Sequence, residues 1–111
     1  MASWQIKYFV EKDGSCPVEE WLDQLPKDQF KLISKKLILL EKCGNDLKMP
    51  HSKALKQGLF ELREPSFGLR VYYCFAGKKV IILLMAAGKK TQTKDIKYAR
   101  NLVSKVTKEE V

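Results

Sequence analysis

Apolar residues change their spacing along this 111-residue chain, and the changes divide it into elements. Near the start, Trp4, Ile6 and Tyr8 alternate with Gln5, Lys7 and Phe9. That alternation predicts a strand with one face buried and the other mostly polar. Lys12-Asp13-Gly14-Ser15 forms a turn. Pro17 suits the first position of a helix, where its missing N–H would find no partner in any case, and Glu19 and Glu20 fall where the helix dipole favours acids. This short helix runs to about Gln24, with Trp21 and Leu22 turned inward. After Leu25-Pro26 the chain restarts, and Phe30, Ile33, Leu37 and Leu40 recur at helical spacing while Lys27, Lys31 and Lys35 lie off that stripe. Gly44 supplies the stop.

Asn45 to Ser52 reads as a loop containing Met49-Pro50, and the period then changes to two. Phe60 and Leu62 alternate with Glu61 and Arg63. Leu69, Val71, Tyr73 and Phe75 alternate with Arg70, Tyr72 and Cys74, and Glu64 to Gly68 connects the two strands. Gly77-Lys78 predicts a two-residue hairpin of type II′, which needs Gly first. Val80 to Ala87 is apolar on both faces and predicts a central strand covered on each side. Thr93 is placed to cap a final helix carrying Ile96, Ala99, Leu102, Val103 and Val106. The predicted order is β-α-α-β-β-β-α. It describes an α+β fold, a small, mainly antiparallel sheet with helices packed against it, as one domain over residues 1–111.

Charge sharpens this outline. Up to Leu47 seven Lys/Arg face eight Asp/Glu, whereas from Lys48 onward fourteen face five, so the whole excess of the +8 net charge lies in the second part. Such an asymmetry predicts a polyanion partner, because each cation that neutralises a phosphate releases condensed counterions. The 45% hydrophobic content suits a packed core and argues against a disordered basic tail. No apolar run reaches membrane-spanning length, and the segment M-A-S-W-Q-I-K lacks a signal-peptide core, which predicts a cytoplasmic protein. Cys16, Cys43 and Cys74 are widely spaced and read as reduced thiols; with a single His, they do not make a zinc site. No metal or other cofactor is expected, and there is no Gly-rich phosphate loop.

Period-two geometry then groups the candidate chemistry. With Phe60, Leu62, Val71 and Tyr73 facing the core, Glu61, Arg63, Arg70 and Tyr72 share one sheet surface. Lys53 and Lys56 approach from the preceding segment, and Lys89 and Lys90 from the end of the last strand. Arginine suits phosphate because its planar fork donates two parallel hydrogen bonds and stays charged. A phosphoryl-transfer site needs such donors for the extra charge of a pentacovalent phosphate. It also needs a proton acceptor, for which Glu61, Tyr72 or a lysine depressed by its neighbours is eligible. The plainer reading makes Arg63 and Arg70 solvent-facing strand residues with Glu61 paired to one of them. It makes Lys89-Lys90 a solubilising loop and His51 a loop residue.

The set Pro17-Val18, Lys53-Ala-Leu-Lys56, G-L-F-E-L-R from Gly58, L-R-V-Y-Y-C-F from Leu69 and G-K-K-T-Q from Gly88 resembles a known family. It is similar to the RelE/ParE superfamily of type II toxins, in the phage-derived Gp49-like branch that includes HigB-type toxins. The resemblance implies a microbial-RNase-like fold and ribosome-dependent mRNA cleavage. In that reaction the RNA's own 2′-OH attacks the phosphodiester without a metal, leaving a 2′,3′-cyclic phosphate and a 5′-OH. By the resemblance, Arg70 is the phosphate-stabilising arginine and Arg63 the second phosphate ligand. Lys89 and Lys90 fall where related toxins place acid/base residues. Lys53, Lys56, Lys78, Lys79 and Lys94 form the RNA-binding set. The implied partners are a helix-turn-helix, HigA-like antitoxin, the ribosome and mRNA. Two rivals stand beside this reading: a ParE-like gyrase inhibitor, and a non-catalytic RNA-binding module.

Overall fold

The computed structural model describes residues 3–109, with the side chains of residues 89 and 107–109 outside that description. Its elements are β1 (Gln5–Tyr8), α1 (Pro17–Gln24), α2 (Lys27–Cys43), β2 (Ser52–Ala54), β3 (Phe60–Glu64), β4 (Leu69–Ala76), β5 (Val80–Ala87) and α3 (Gln92–Glu109). The observed order is therefore β-α-α-β-β-β-β-α. The added strand, β2, is three residues long and too short to show a period; its pairing with β3 defines it. The sheet runs β1-β5-β4-β3-β2, with β1 parallel to β5 and the other neighbours antiparallel.

Each sheet face carries its own core. On one side Leu62, Val71, Tyr73, Ile81 and Leu83 meet Val18 and Leu22 of α1 and Ile33 and Leu40 of α2. On the other, Tyr72, Cys74, Ile82 and Leu84 meet Ala99, Leu102 and Val106 of α3. The wholly apolar β5 follows from this layering, since both of its faces are roofed. Between Tyr72 and Tyr73 the β4–β5 register shifts, so Tyr72 pairs with Met85 and Tyr73 with Leu83. The extra residue, Leu84, and its neighbour Met85 both pack on the α3-side core, after which Ala86 returns to the other.

Several expectations need correction. The hairpin after β4 closes with three residues, since Ala76 pairs with Val80; Gly77 and Lys79 both have positive φ, at 55° and 59°. Helix α3 begins at Gln92, after a 3₁₀ turn over Lys89–Thr91, and Thr93 is exposed within it. The hydroxyl at the boundary belongs to Thr91, which donates to Asp95 Oδ2 at 2.6 Å. In the first strand Trp4 and Ile6 pack inward, but Tyr8 is exposed and Phe9 enters the α3-side core instead. Phe30 is 45% exposed, so burial along α2 starts a turn later, at Ile33. Gly44 does stop α2, at φ 53° and ψ −127°, and the Trp4 indole fills the space that a side chain would need. No described helix is long and apolar enough to cross a membrane.

Candidate functional site

Antiparallel pairing places Glu61 opposite Tyr72 and Arg63 opposite Arg70. Directly opposed residues share a face, so these four side chains occupy one surface, with Lys53 extending the Glu61 row through its pairing in β2. That surface is not open along its length. Helix α3 lies across it, and Tyr72 and Cys74, read from alternation as polar-face residues, belong to the α3-side core. The exposed part is the end near the β3–β4 turn. There Arg63, Arg70, Met49 and Pro50 line a cleft of about 320 Å³ together with residues of the turn.

Glu61 is the hub. It is 1% exposed; its Oε1 accepts from Arg70 Nη1 at 2.9 Å and lies 3.5 Å from Arg63 Nε, while its Oε2 accepts from Gln92 Nε2 at 2.9 Å. A buried carboxylate is tolerable here because donors surround it. Two guanidiniums against one carboxylate leave a local excess of one positive charge. Arg70 is nearly enclosed, and its Nε has no hydrogen-bond partner among the described residues; Arg63 keeps a third of its side chain exposed. The arrangement presents Arg63 at the cleft mouth with Arg70 behind it, both oriented by Glu61. It can receive an anion that binds two arginines from the cleft side.

Glu61 and Tyr72, eligible from sequence as proton acceptors, are thus both withdrawn from solvent. Burial pushes the Tyr72 phenol well above its ordinary range, and the negative charge of Glu61 adds to the shift. The Tyr72 hydroxyl is buried beside that carboxylate, and the hydrogen bond between them contributes to the shift. Gln92, the last residue of G-K-K-T-Q, joins the site by fastening the start of α3 to Glu61. Periodicity could not single it out, because its contact spans 31 positions and depends on where α3 docks.

The lysines divide between the two ends of the sheet. Lys90, in the turn before α3, is exposed and lies on the arginine side, as does exposed Lys94 in the first turns of α3. Lys53 is exposed on β2. The backbone of Lys89 lies in the same turn as Lys90, and its side chain lies outside the described residues. Lys56, Lys78 and Lys79 sit in loops at the opposite end; at about 3.4 Å per residue, the strand from Arg70 to Ala76 alone spans roughly 20 Å. Lys79 is instead placed over the Trp4 ring, 5.1 Å from its centroid. His51, read as a loop residue, has its Nδ1 2.9 Å from Lys36 Nζ of α2.

A second, larger hollow of about 700 Å³ lies beside the arginine cleft. Trp21, Leu25, Gln29, Phe67, Leu69 and Lys90 are among its lining residues, and Leu69 also lines the cleft.

Comparison with solved structures finds this fold among the RelE proteins. The E. coli RelBE toxin–antitoxin complex aligns with a TM-score of 0.55 at 14% identity, covering 77% of this chain and 95% of that one. An arginine double mutant of E. coli RelE in the free state aligns with a TM-score of 0.57 at 13% identity, covering 86% and 96%. The archaeal RelE–RelB complex from Pyrococcus horikoshii OT3 gives 0.52 at 20% identity, covering 81% and 98%. Curated proteins yield no sequence match. The family model described as phage derived protein Gp49-like matches residues 20–108, which carry α2, the whole arginine cleft and nearly all of α3. The fold is RelE-like, and the chain belongs to the phage-derived Gp49-like family.

Proposed function

We propose that this protein is the toxin of a toxin–antitoxin pair, a metal-independent mRNA endoribonuclease acting on translating ribosomes in the cytoplasm. The observation that carries the reading is the opposed pair Arg63 and Arg70, held on one carboxylate at the mouth of a cleft. Membership of the Gp49-like family and the shared fold with RelE toxins support it.

In this reaction the RNA's 2′-OH attacks the adjacent phosphorus, its proton passing to solvent water, and the P–O5′ bond breaks as the 5′-oxygen leaves. The phosphate gains negative charge in the transition state, which the forks of Arg63 and Arg70 meet. Their single uncompensated positive charge matches that gain. Glu61 acts as a positioning residue, keeping both guanidiniums aimed at the cleft. The ammonium of Lys90, with Lys89 beside it in sequence, is assigned to protonate the leaving 5′-oxygen. Exposed Lys53 and Lys94 track the RNA backbone, and Lys56, Lys78 and Lys79 at the far end of the sheet extend contact to ribosomal RNA. The partner that restrains the toxin is a helix-turn-helix antitoxin.

The test is induction of the wild type, Arg63→Ala and Arg70→Lys in growing bacteria, with mapping of RNA 5′ ends. New 5′-OH ends at consistent codon positions, lost in both variants, are expected. Arrest without new ends would replace this reading with gyrase inhibition.

A further inference from the structure

The hollow beside the arginine cleft carries three side chains, Phe67, Trp21 and Gln29, that the mechanism above leaves unused. Its rim carries Phe67, an aromatic ring 43% exposed to solvent. Its walls include half-buried Trp21 and exposed Lys90, with Gln29 supplying an amide. Leu69 is common to this hollow and to the arginine cleft, so the two are adjacent.

Phe67 is not on a loose loop. The Glu64 carboxylate, 2% exposed, accepts from Ser66 N at 2.8 Å and from Phe67 N at 2.9 Å. Gly68 completes the turn with φ 72°. A buried carboxylate is thus spent on fixing a turn whose outcome is an outward-facing phenyl ring. A lone exposed apolar side chain needs no explanation, but a pre-set aromatic rim over a hollow containing tryptophan and a cation does.

We infer that this hollow is a base-stacking subsite, holding the nucleotide next to the scissile phosphate while the phosphate lies in the Arg63–Arg70 cleft. Single-stranded nucleic acid is held elsewhere by this combination, aromatic faces for bases and cations for the backbone. The base stacks on Phe67 towards Trp21, Gln29 offers hydrogen bonds to its edge, and Lys90 meets the backbone. The larger π-face of a purine stacks better, so the subsite prefers a purine. An acidic protein segment is the alternative occupant. The arginine cleft continuing past Leu69 favours RNA, since it extends the same anion path.

This inference rests on the endoribonuclease reading, and the test separates the two. Ribosomes translating messages that differ only in the bases flanking the cut are treated with wild type, Phe67→Ala, Phe67→Leu and Phe67→Tyr, and cleavage is quantified. The wild type is expected to cut beside purines preferentially. Phe67→Ala is expected to raise KM about tenfold, the scale of one lost stacking contact, with a smaller effect on kcat, and to flatten the base preference. Phe67→Tyr restores both, whereas Phe67→Leu, apolar but without a π-face, does not. Cleavage by Phe67→Ala with unchanged KM and base preference would overturn the subsite and leave the nuclease standing. The same unchanged profile together with weakened inhibition by an antitoxin would make the hollow a protein seat and also overturn it. Absence of cleavage by folded wild type would remove both readings.

Discussion

Arg63 and Arg70 stand directly opposite each other across the β3–β4 ladder, two like charges that repel unless something lies between them. Glu61 does, with Arg70 Nη1 at 2.9 Å and Arg63 Nε at 3.5 Å from the same carboxylate oxygen. The site is therefore a coupled unit. Removing the carboxylate leaves two facing guanidiniums, one of them buried; removing Arg70 leaves a buried charge with fewer donors.

Glu61→Gln is accordingly expected to destabilise the protein by about 3 kcal/mol, in the range for breaking one half of a buried ion pair. Arg70→Met should cost a similar amount. The double variant should cost distinctly less than the two losses combined, because neither partner is then left uncompensated. Denaturant unfolding of the four proteins measures the coupling, and strict additivity would contradict the shared-carboxylate geometry.

Tyr72→Phe should behave differently. The phenol O–H is buried beside the Glu61 carboxylate and interacts with it, so deleting it removes a donor from that carboxylate. Stability at neutral pH should fall by about 1 kcal/mol. An unchanged or raised unfolding temperature would mean that the hydroxyl contributes nothing to holding Glu61.

The same phenol predicts an alkaline limit. Burial raises both Tyr72 and Tyr73 above the usual value of 10.0, while the unfolded chain ionises near that value. Above it the unfolded state has lost protons that the native state still holds, so stability falls as pH rises. The loss approaches about 1.4 kcal/mol per pH unit for each phenol until its native pKa is reached. Below pH 10 these groups add no slope. Unfolding free energies from pH 8 to 12 should be flat at first and then fall, and Tyr72→Phe should make the fall shallower.

Gly44→Ala tests the end of α2. A Cβ there would lie 2.0 Å from the Trp4 ring, and the positive φ already disfavours any side chain. The cost should be at least about 2 kcal/mol, from backbone strain and a displaced indole together. A shifted denaturation midpoint with altered tryptophan fluorescence is the expected result.

Thr91→Ala should loosen the start of α3. It removes the hydroxyl donor to Asp95, which is 5% exposed, at a cost of about 1–3 kcal/mol. Because Gln92 follows directly and fastens α3 to Glu61, amide exchange should accelerate first in this turn.

Much of this molecule was legible without coordinates, because local signals decide local structure. Pro17, Pro26 and Gly44 bound the two amphipathic helices where the structure also bounds them. Alternation put Glu61, Arg63, Arg70 and Tyr72 on one face, since a strand's period of two leaves no other choice once Leu62 and Val71 are buried. Where non-local packing decides, the sequence was silent or misleading. Nothing in the alternation of Arg70, Tyr72 and Cys74 says that α3 will roof that face, so polar-looking positions became core. Strand β2 exists only through its partner β3, and the register shift beside Tyr72 only through the pairing of β4 with β5. The bond between Gln92 and Glu61 depends on the angle at which α3 returns across the sheet. Residue type and spacing determined which groups could act and which face they shared. Docking of the helices, a sum of many weak contacts between distant segments, decided which of them reach solvent and which are held in place.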